Sequence, residues 1–396
     1  MFSCKLLVSL FIAGLLTASV ASAATIKTLH EFTGPFGDGT PGGGLTADGT
    51  GMLYGVSDGA DSGTIFSVDP STGKFTTVHK FTEAEGVMPV GPLVPDGAGG
   101  FYGITYGYSD YSCGPVPQSI YRFDVAKRTV TVLYPTEGSG GGGFSTAPVL
   151  IKGALYGKYE GSGRSSDIYR FDLATRTLKI IGSPDSRKSR PNLITCSLNP
   201  GFTFDPSLVA GRDGRVYGAT IDGRLLRIDP ATNRIVGLHA LSAKDGGSLS
   251  GPLTAATDGT LYGTTAQGGL PAFYTGPCSS DCNAIFKFEP AIPRFTILHR
   301  FTNADSVSSP EGTTALSPNG KFLYGTTISG GPNESGALYR LNVETKEYAV
   351  LHVFTGGRDG AIGRFGTPGL KFARGSLFGI TINGGKGYGT VFQVIP

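Results

Sequence analysis

The chain has 396 residues, a net charge of +3 with 16% charged residues, 63 glycines, 25 prolines and no tryptophan. Near-balanced charge excludes the strongly basic footprint of a nucleic-acid binder, and glycine without a strict Gly-X-Y period excludes a collagen. The glycines sit in turns between short apolar runs, the pattern of a β-protein rich in hairpins, and no helical apolar stripe of useful length follows residue 24.

The N-terminus reads as a targeting segment. Lys5 is followed by the apolar run Leu6 to Val20 and by Ala21-Ser22-Ala23, a small-x-small site that places cleavage after Ala23. The run is short for a hydrocarbon core of about 30 Å. Residues 1–23 are therefore expected to be a signal peptide, and residues 24–396 a single secreted or periplasmic domain. No later segment is long and apolar enough to span a membrane, and Cys4 does not sit at the cleavage junction.

From residue 26 onward four strand signatures recur. The first strand, Ile26 to Phe32, ends in Leu29-His30-Glu31-Phe32. Next comes Leu45 with the tight turn Asp48-Gly49, then Leu53-Tyr54-Gly55, then Ile65 to Asp69, then Phe75 to Phe81, which again carries a His two residues before a Phe. Asp-Gly is a preferred hairpin turn because both central residues need positive φ, so these are antiparallel strands a, b, c and d. The aromatic-Gly pair of strand b returns at Phe101-Tyr102-Gly103, Leu155-Tyr156-Gly157, Val216-Tyr217-Gly218, Leu261-Tyr262-Gly263, Leu323-Tyr324-Gly325 and Leu377-Phe378-Gly379. Periods of this length indicate a repeat architecture. Ser183–Asp205 and Ala266–Asn283 exceed the basic beat and read as loops on it.

The strand count decides between an open array and a ring. After the seventh strand c the chain stops at Pro396, so no seventh d follows, yet a d strand stands alone before the first a. Seven complete sets exist only if Ile26–Phe32 joins the last one. The expected fold is all-β: a seven-bladed β-propeller of four-stranded antiparallel blades, with the N-terminal strand closing the last blade. Such closure leaves few open sheet edges.

The repeat of Leu-x-x-Asp-Gly, Leu-Tyr-Gly-x-Thr, Gly-Gly-x-x-x-Gly-x-x-Phe and Leu-His-x-Phe resembles the GloVer tandem repeat of exported bacterial proteins, over nearly all the mature chain. The resemblance implies an extracytoplasmic propeller-like protein, and the family has no established general activity. Relatives often carry a C-terminal surface anchor. Nothing follows the last strand here, so release is expected rather than anchoring.

All five histidines, His30, His79, His239, His299 and His352, occupy one position of strand d. That is a scaffold position, and it speaks against Ser-His-Asp, Cys-His and most His-metal chemistry. Asp69, Asp124, Asp172, Asp229 and Glu289 end strand c before a turn, where such side chains satisfy backbone N–H groups. The recurring acids Asp38, Glu85, Asp245, Asp305 and Asp359 read as turn residues too. The strand-b tyrosines read as packing between blades, with their hydroxyls finding partners. Asp58 and Asp61 could offer oxygens to calcium, but a Gly-rich turn is the simpler reading, so no metal site and no cofactor are assigned. A quinone-cofactor propeller is disfavoured because that family's repeat relies on Trp.

Function is sought where the repeats differ. In a meander of a, b, c and d, the b–c and d–a connections emerge at one end, and nearly all the long irregular segments are of these two kinds. Loops on a rigid scaffold are where sites usually lie. Tyr106, Tyr108, Tyr111, Tyr159, Tyr274 and Tyr388 fall in or beside b–c loops, and Arg164, Arg187, Lys188, Arg190, Arg358 and Arg364 accompany them in b–c and d–a segments. Aromatic faces with basic neighbours suit a polyhydroxylated, anionic ligand such as a uronate-bearing glycan. Two functions compete. One is a monomeric binding module for a glycan or other cell-envelope ligand. The other is a lyase on an acidic polysaccharide, in which a Tyr acts as base and acid and an Arg neutralises the uronate.

Four cysteines remain in the mature chain, an even number that suggests disulfides in an exported protein, with three possible connectivities and metal binding as the rival use. Cys113 and Cys196 emerge on the same face near adjacent blades, while Cys278 and Cys282 share one loop. The expected pairs are Cys113–Cys196 and Cys278–Cys282. Mass mapping of non-reduced peptides should find both, and reduction should cost about 2–4 kcal/mol through the long-range bridge; any other pairing refutes the assignment.

Overall fold

The tight turns join strands that pair in sequence order. The computed structural model describes residues 24–59, 62–106, 118–136, 143–160, 166–182, 208–220, 223–266, 283–302, 305, 307–362 and 369–395. They form seven small antiparallel sheets, each of the order a-b-c-d. In the first blade these strands are Thr46–Ala47, Leu53–Ser57, Thr64–Val68 and Phe75–Lys80. Strand a of blades 3 and 5 is broken into two pieces that pair with the same strand b. The last blade contains Lys371–Ala373, Ser376–Thr381 and Thr390–Ile395, and its outermost strand is Thr25–Glu31, paired from Thr25 opposite Ile395 to Glu31 opposite Thr390 with one shift at Leu29. The chain is a seven-bladed β-propeller, closed as the strand count requires. No helix among the described residues is long and apolar enough to cross a membrane.

The core is divided among seven seams. Each cluster of buried apolar side chains joins two neighbouring blades and no more. At the closure, Phe32, Phe378, Ile380 and Val391 of blade 7 meet Leu45, Leu53, Phe66 and Val68 of blade 1. On the other side of blade 1, Tyr54, Val56, Ile65 and Phe81 meet Leu93, Phe101, Tyr121 and Phe123 of blade 2. Strand alternation explains the division, because successive side chains of one strand point to opposite faces of the sheet. Leu53 serves one seam and Tyr54 the next.

In every blade but the fourth, the glycine after the strand-b aromatic makes room for a ring on strand c. Gly55 lies opposite Phe66, Gly103 opposite Tyr121, Gly157 opposite Tyr169, Gly263 opposite Phe286, Gly325 opposite Tyr339 and Gly379 opposite Phe392. A Cβ at Gly55 would stand 2.4 Å from the Phe66 ring, and one at Gly325 would stand 2.2 Å from the Tyr339 hydroxyl. Blade 4 has Leu226 on strand c instead, and Leu208 fills the space beside Gly218.

The a strands are innermost, since neighbouring a strands touch one another around the ring. Small residues permit this. Gly43 lies against Gly91, Gly91 against Ala147, Gly251 against Gly312, and Gly369 against Gly44, with a backbone bond from Gly91 N to Gly42 O of 3.0 Å.

Removing residues 24–32 would strip the outer strand from blade 7 and open one seam. Phe32 is fully buried in that seam. Phe32→Ala should cost about 3–5 kcal/mol, and the deletion should cost more, read as urea midpoints by circular dichroism. A deletion that unfolds at the wild-type midpoint would contradict closure by this strand.

Candidate functional site

The end of the ring that carries the b–c and d–a connections is built on a bulge in every strand d. One residue is skipped in the pairing with strand c: Leu29, Val78, Leu133, Ile181, Leu238, Leu298 and Leu351 in turn. A bulge re-aims the side chain beside it. The next residue is the repeat histidine in five blades, and Tyr134 and Gly182 in blades 2 and 3.

Each histidine meets the acid of the following turn. The Nε2-to-carboxylate distances are 2.5 Å for His30–Asp38, 3.2 Å for His79–Glu85, 3.6 Å for His239–Asp245, 3.3 Å for His299–Asp305 and 3.0 Å for His352–Asp359. The same carboxylates accept the backbone N–H and the hydroxyl of the Thr or Ser that opens the turn: Thr33, Thr82, Ser242, Thr302 and Thr355. The ring also reaches the next blade. His30 stacks on Phe75 at 3.6 Å, His239 on Phe295 at 4.8 Å and His299 on Tyr348 at 4.0 Å, all near parallel. The histidines therefore clasp a turn and staple a seam. Reading the histidines and the turn acids separately in the sequence missed this union; the legible signal was an acid six to eight residues after each His, with Thr or Ser between.

A second device closes the b–c hairpins. Ser57, Thr105, Thr220, Thr265, Thr327 and Thr381 stand three residues after the strand-b aromatic and are buried. Thr105, Thr265, Thr327 and Thr381 each accept the backbone N–H that starts strand c, at 2.8 to 3.1 Å. In blade 3 this position is Tyr159. Expected at the start of a loop, Tyr159 instead lies inside Ala154–Glu160, where its ring meets Phe144 edge-on and packs into the seam with blade 2. The strand runs on because Tyr159 and Glu160 pair with Phe144 and Gly143.

At the closure, three connections of this end interlock. Phe32 N bonds Gly389 O, Gly385 N bonds Gly357 O at 2.7 Å, and Ala361 and Asn383 exchange both backbone bonds. On this platform Phe36 is fully exposed at 103%, at the tip of the hairpin closed by Gly34 and Gly39. Tyr388 is 40% exposed and lays its ring over Gly34, whose Cβ would stand 2.5 Å from the ring. Gly34 has φ +86°, so a side chain there would be both strained and obstructed. Arg358, with its side chain 88% exposed, reaches back to Glu31 at 3.1 Å, and its carbonyl accepts the Thr28 hydroxyl. Lys386 is exposed in the same b–c loop as Tyr388.

The structure thus brings Tyr388 and Arg358 onto one platform and adds Phe36, which the sequence reading passed over because it singled out Tyr and Arg. Tyr106 is described and its N–H bonds Met88 O. Tyr108, Tyr111, Arg164, Arg187, Lys188, Arg190, Tyr274, Arg364 and all four cysteines lie outside the described residues. So does Asp61; Asp58 is described and accepts Thr40 N at 2.6 Å. Among the described residues no group of three His, Cys, Asp or Glu is placed to hold a metal. The acids that end strand c bond their turns, as Asp69 does to Ser71 N and Asp172 to Ala174 N and Thr175 N, whereas Glu289 pairs with Arg294.

No family model matches the chain, and no curated protein matches it in sequence. Solved structures share its fold. An oligogalacturonate lyase in complex with manganese superposes with a TM-score of 0.56 at 13% identity, covering 95% of this chain and 99% of the lyase. The extracellular domain of a putative hybrid two component system from B. thetaiotaomicron gives 0.55 at 14%, covering 91% of this chain and 39% of the other. The β-propeller domain of Cps50 (Swd1) from Myceliophteria thermophila gives 0.53 at 12%, covering 91% and 98%. Identities this low establish the fold alone.

The clasps make stability depend on pH. Burial lowers His30 and His299 below the ordinary value of 6.5, although Asp38 and Asp305 pull the other way. Burial works against charge on Asp38 and Asp359, but the hydrogen bonds from Thr33 and Thr355 and the histidines outweigh it and hold both below 3.8. The unfolded chain then binds protons more readily at the two histidines, so their contribution is full above pH 6.5 and falls as pH drops through that value. The carboxylates' contribution is full above 3.8 and is lost below it. Urea midpoints should therefore fall in two stages on acidification, with His299→Gln reducing the first; a flat profile between about pH 7 and 5 contradicts the assignment.

Proposed function

We propose that this protein is an exported, monomeric binding module of the GloVer type, with its signal peptide cleaved near Ala23, and that it holds a glycan of the cell envelope on its b–c/d–a face. The observation that carries the reading is the platform at the ring closure, where Phe36 and Tyr388 expose aromatic surface beside Arg358 and Lys386. Apolar rings in water cost free energy that a sugar's C–H face relieves, and the neighbouring cations favour a ligand with carboxylates. Their backbone is held by hydrogen bonds among three connections, which limits the ordering cost of binding.

Likeness to an oligogalacturonate lyase carries no chemistry with it, because fold does not transmit a site. The tyrosine hydroxyls that do meet arginine or acid among the described residues lie on strand b toward the a–b turns, Tyr156 with Arg170 and Tyr217 with Asp213. They belong to the repeat and not to the loop face.

Glycan arrays rich in uronate and bacterial envelope structures should show binding by the full chain. Phe36→Ala and Tyr388→Ala should each weaken it about tenfold, the size of one lost aromatic contact. Binding untouched by both substitutions would move the site elsewhere, and unsaturated products absorbing in the ultraviolet would replace binding by a lyase reaction.

A further inference from the structure

At the opposite, a–b turn side of the ring, strand b and strand c repeat a second constellation. Directly across from the repeat aromatic stands a cation in five blades: Arg122 opposite Tyr102, Arg170 opposite Tyr156, Arg227 opposite Tyr217, Lys287 opposite Tyr262 and Arg340 opposite Tyr324. Blade 2 shows what holds such a group. Arg122 Nε and Nη2 reach Asp96 Oδ2 at 2.8 and 2.6 Å, and Nη1 reaches Asp124 Oδ2 at 3.3 Å. In blade 3, Arg170 Nε bonds the Tyr156 hydroxyl at 3.2 Å and Nη2 bonds Asp172 at 2.9 Å.

Blade 1 keeps the receptor but carries no guanidinium on its own strand c. Its tyrosine is Tyr54, and the residue opposite is Ser67. Asp48 takes the place of Asp96, bonding its turn through Oδ1 to Thr50 N and Met52 N as Asp96 does to Ala98 N and Gly100 N. Asp69 takes the place of Asp124. Among the described residues no cation pairs with Asp48, and the cation at Asp69, Arg374, stands 3.9 Å away and is engaged with Ser71 and Thr50. Where the arginine side chain would run, a cleft of about 270 Å³ opens between blades 1 and 2, with Tyr54, Ser67 and Phe123 among its buried lining, Asp69 half-buried, and Lys74 and Arg128 exposed on it.

We propose that this cleft binds a molecule with a guanidinium at one end and a carboxylate at the other, free arginine or the C-terminal arginine of a peptide. The guanidinium takes the place that Arg122 fills in blade 2, against Tyr54, Asp48 and Asp69. The alkyl stem lies along Met52, Val78 and Phe123. The carboxylate faces Lys74 and Arg128, whose charges would repel a ligand that was only a cation. This site is separate from the loop face and does not depend on it.

Titration calorimetry of the full chain should detect L-arginine. Citrulline, which lacks the charge, and agmatine, which lacks the carboxylate, should each bind at least about tenfold more weakly. Ser67→Arg should supply the missing side chain and abolish binding while the protein stays folded by circular dichroism, and Asp48→Asn should weaken it. Comparing L-arginine with Ala-Ala-Arg and with the C-terminal amide of that peptide separates the sources: tighter binding of the free-acid peptide assigns a chain end, and binding of L-arginine alone assigns the amino acid. No binding of either, equal binding of citrulline, or full binding by a folded Ser67→Arg protein would overturn the proposal.

Discussion

The antiparallel pairing of Thr25–Glu31 with Thr390–Ile395 is the constraint on which the rest of the molecule depends. A propeller has no central core to fall back on. Its apolar surface is shared among seams, and each seam needs a blade on both sides. Open the ring, and the two blades at the break each expose one face. Closure by hydrogen bonds within blade 7 ties the first described residues to the last, so the seam between blades 7 and 1 is spanned by the chain as the other seams are.

Given a closed ring, the blades must hold their angles. The bulge in strand d does this at the rim. It turns the histidine out of the plain alternation, so that one ring can meet both a carboxylate of its own turn and an aromatic face of the next blade. At His30 and His299 burial favours the uncharged imidazole, so the scaffold position does not depend on a charge there. A neutral imidazole still has one N–H for the carboxylate and a ring face for the aromatic contact. The carboxylate is stabilised by the amide and hydroxyl of its own turn.

The architecture was legible because it is repeated, and the strand count needed only turn chemistry and alternation. Individual contacts were legible to different degrees. The Asp-Gly turns, the aromatic-Gly pairs and the odd first strand could be read directly. The link between each histidine and its acid shows only when the repeats are compared, because the bulge that aims the ring leaves no mark in a single repeat. The pairing of tyrosine with a strand-c cation could not be read, since it depends on register, which sets residues from Tyr217 and Arg227 to the more distant Tyr262 and Lys287 opposite one another. Phe36 escaped for a plainer reason: one apolar residue in a Gly-rich turn looks like punctuation until it is seen fully exposed. Tyr159 misled because its repeat partners are hydroxyl clamps, and a tyrosine there extends the strand instead of ending it.

What distinguishes one blade from another is then a small set of departures, and each has a local consequence. Blades 2 and 3 lack the histidine, and with it the clasp that holds a short d–a turn; the longest d–a connection of the chain, from Gly182 to the strand at Val209, follows the blade in which glycine stands there. The histidine does not set the length by itself: blade 2, with Tyr134 at that position, connects Pro135 to Gly143, while blade 6, with His352, connects Val353 to Lys371. Blade 1 lacks the strand-c cation, and a cleft opens where the side chain would lie. The cleft follows from one physical fact. In a repeat each side chain is cut to fit a space that all its counterparts share, so replacing a large side chain by a small one leaves a void whose shape and polarity are those of the missing group. A tandem fold can in this way acquire a binding site by a single substitution, with its walls and charges already made by the neighbouring blades.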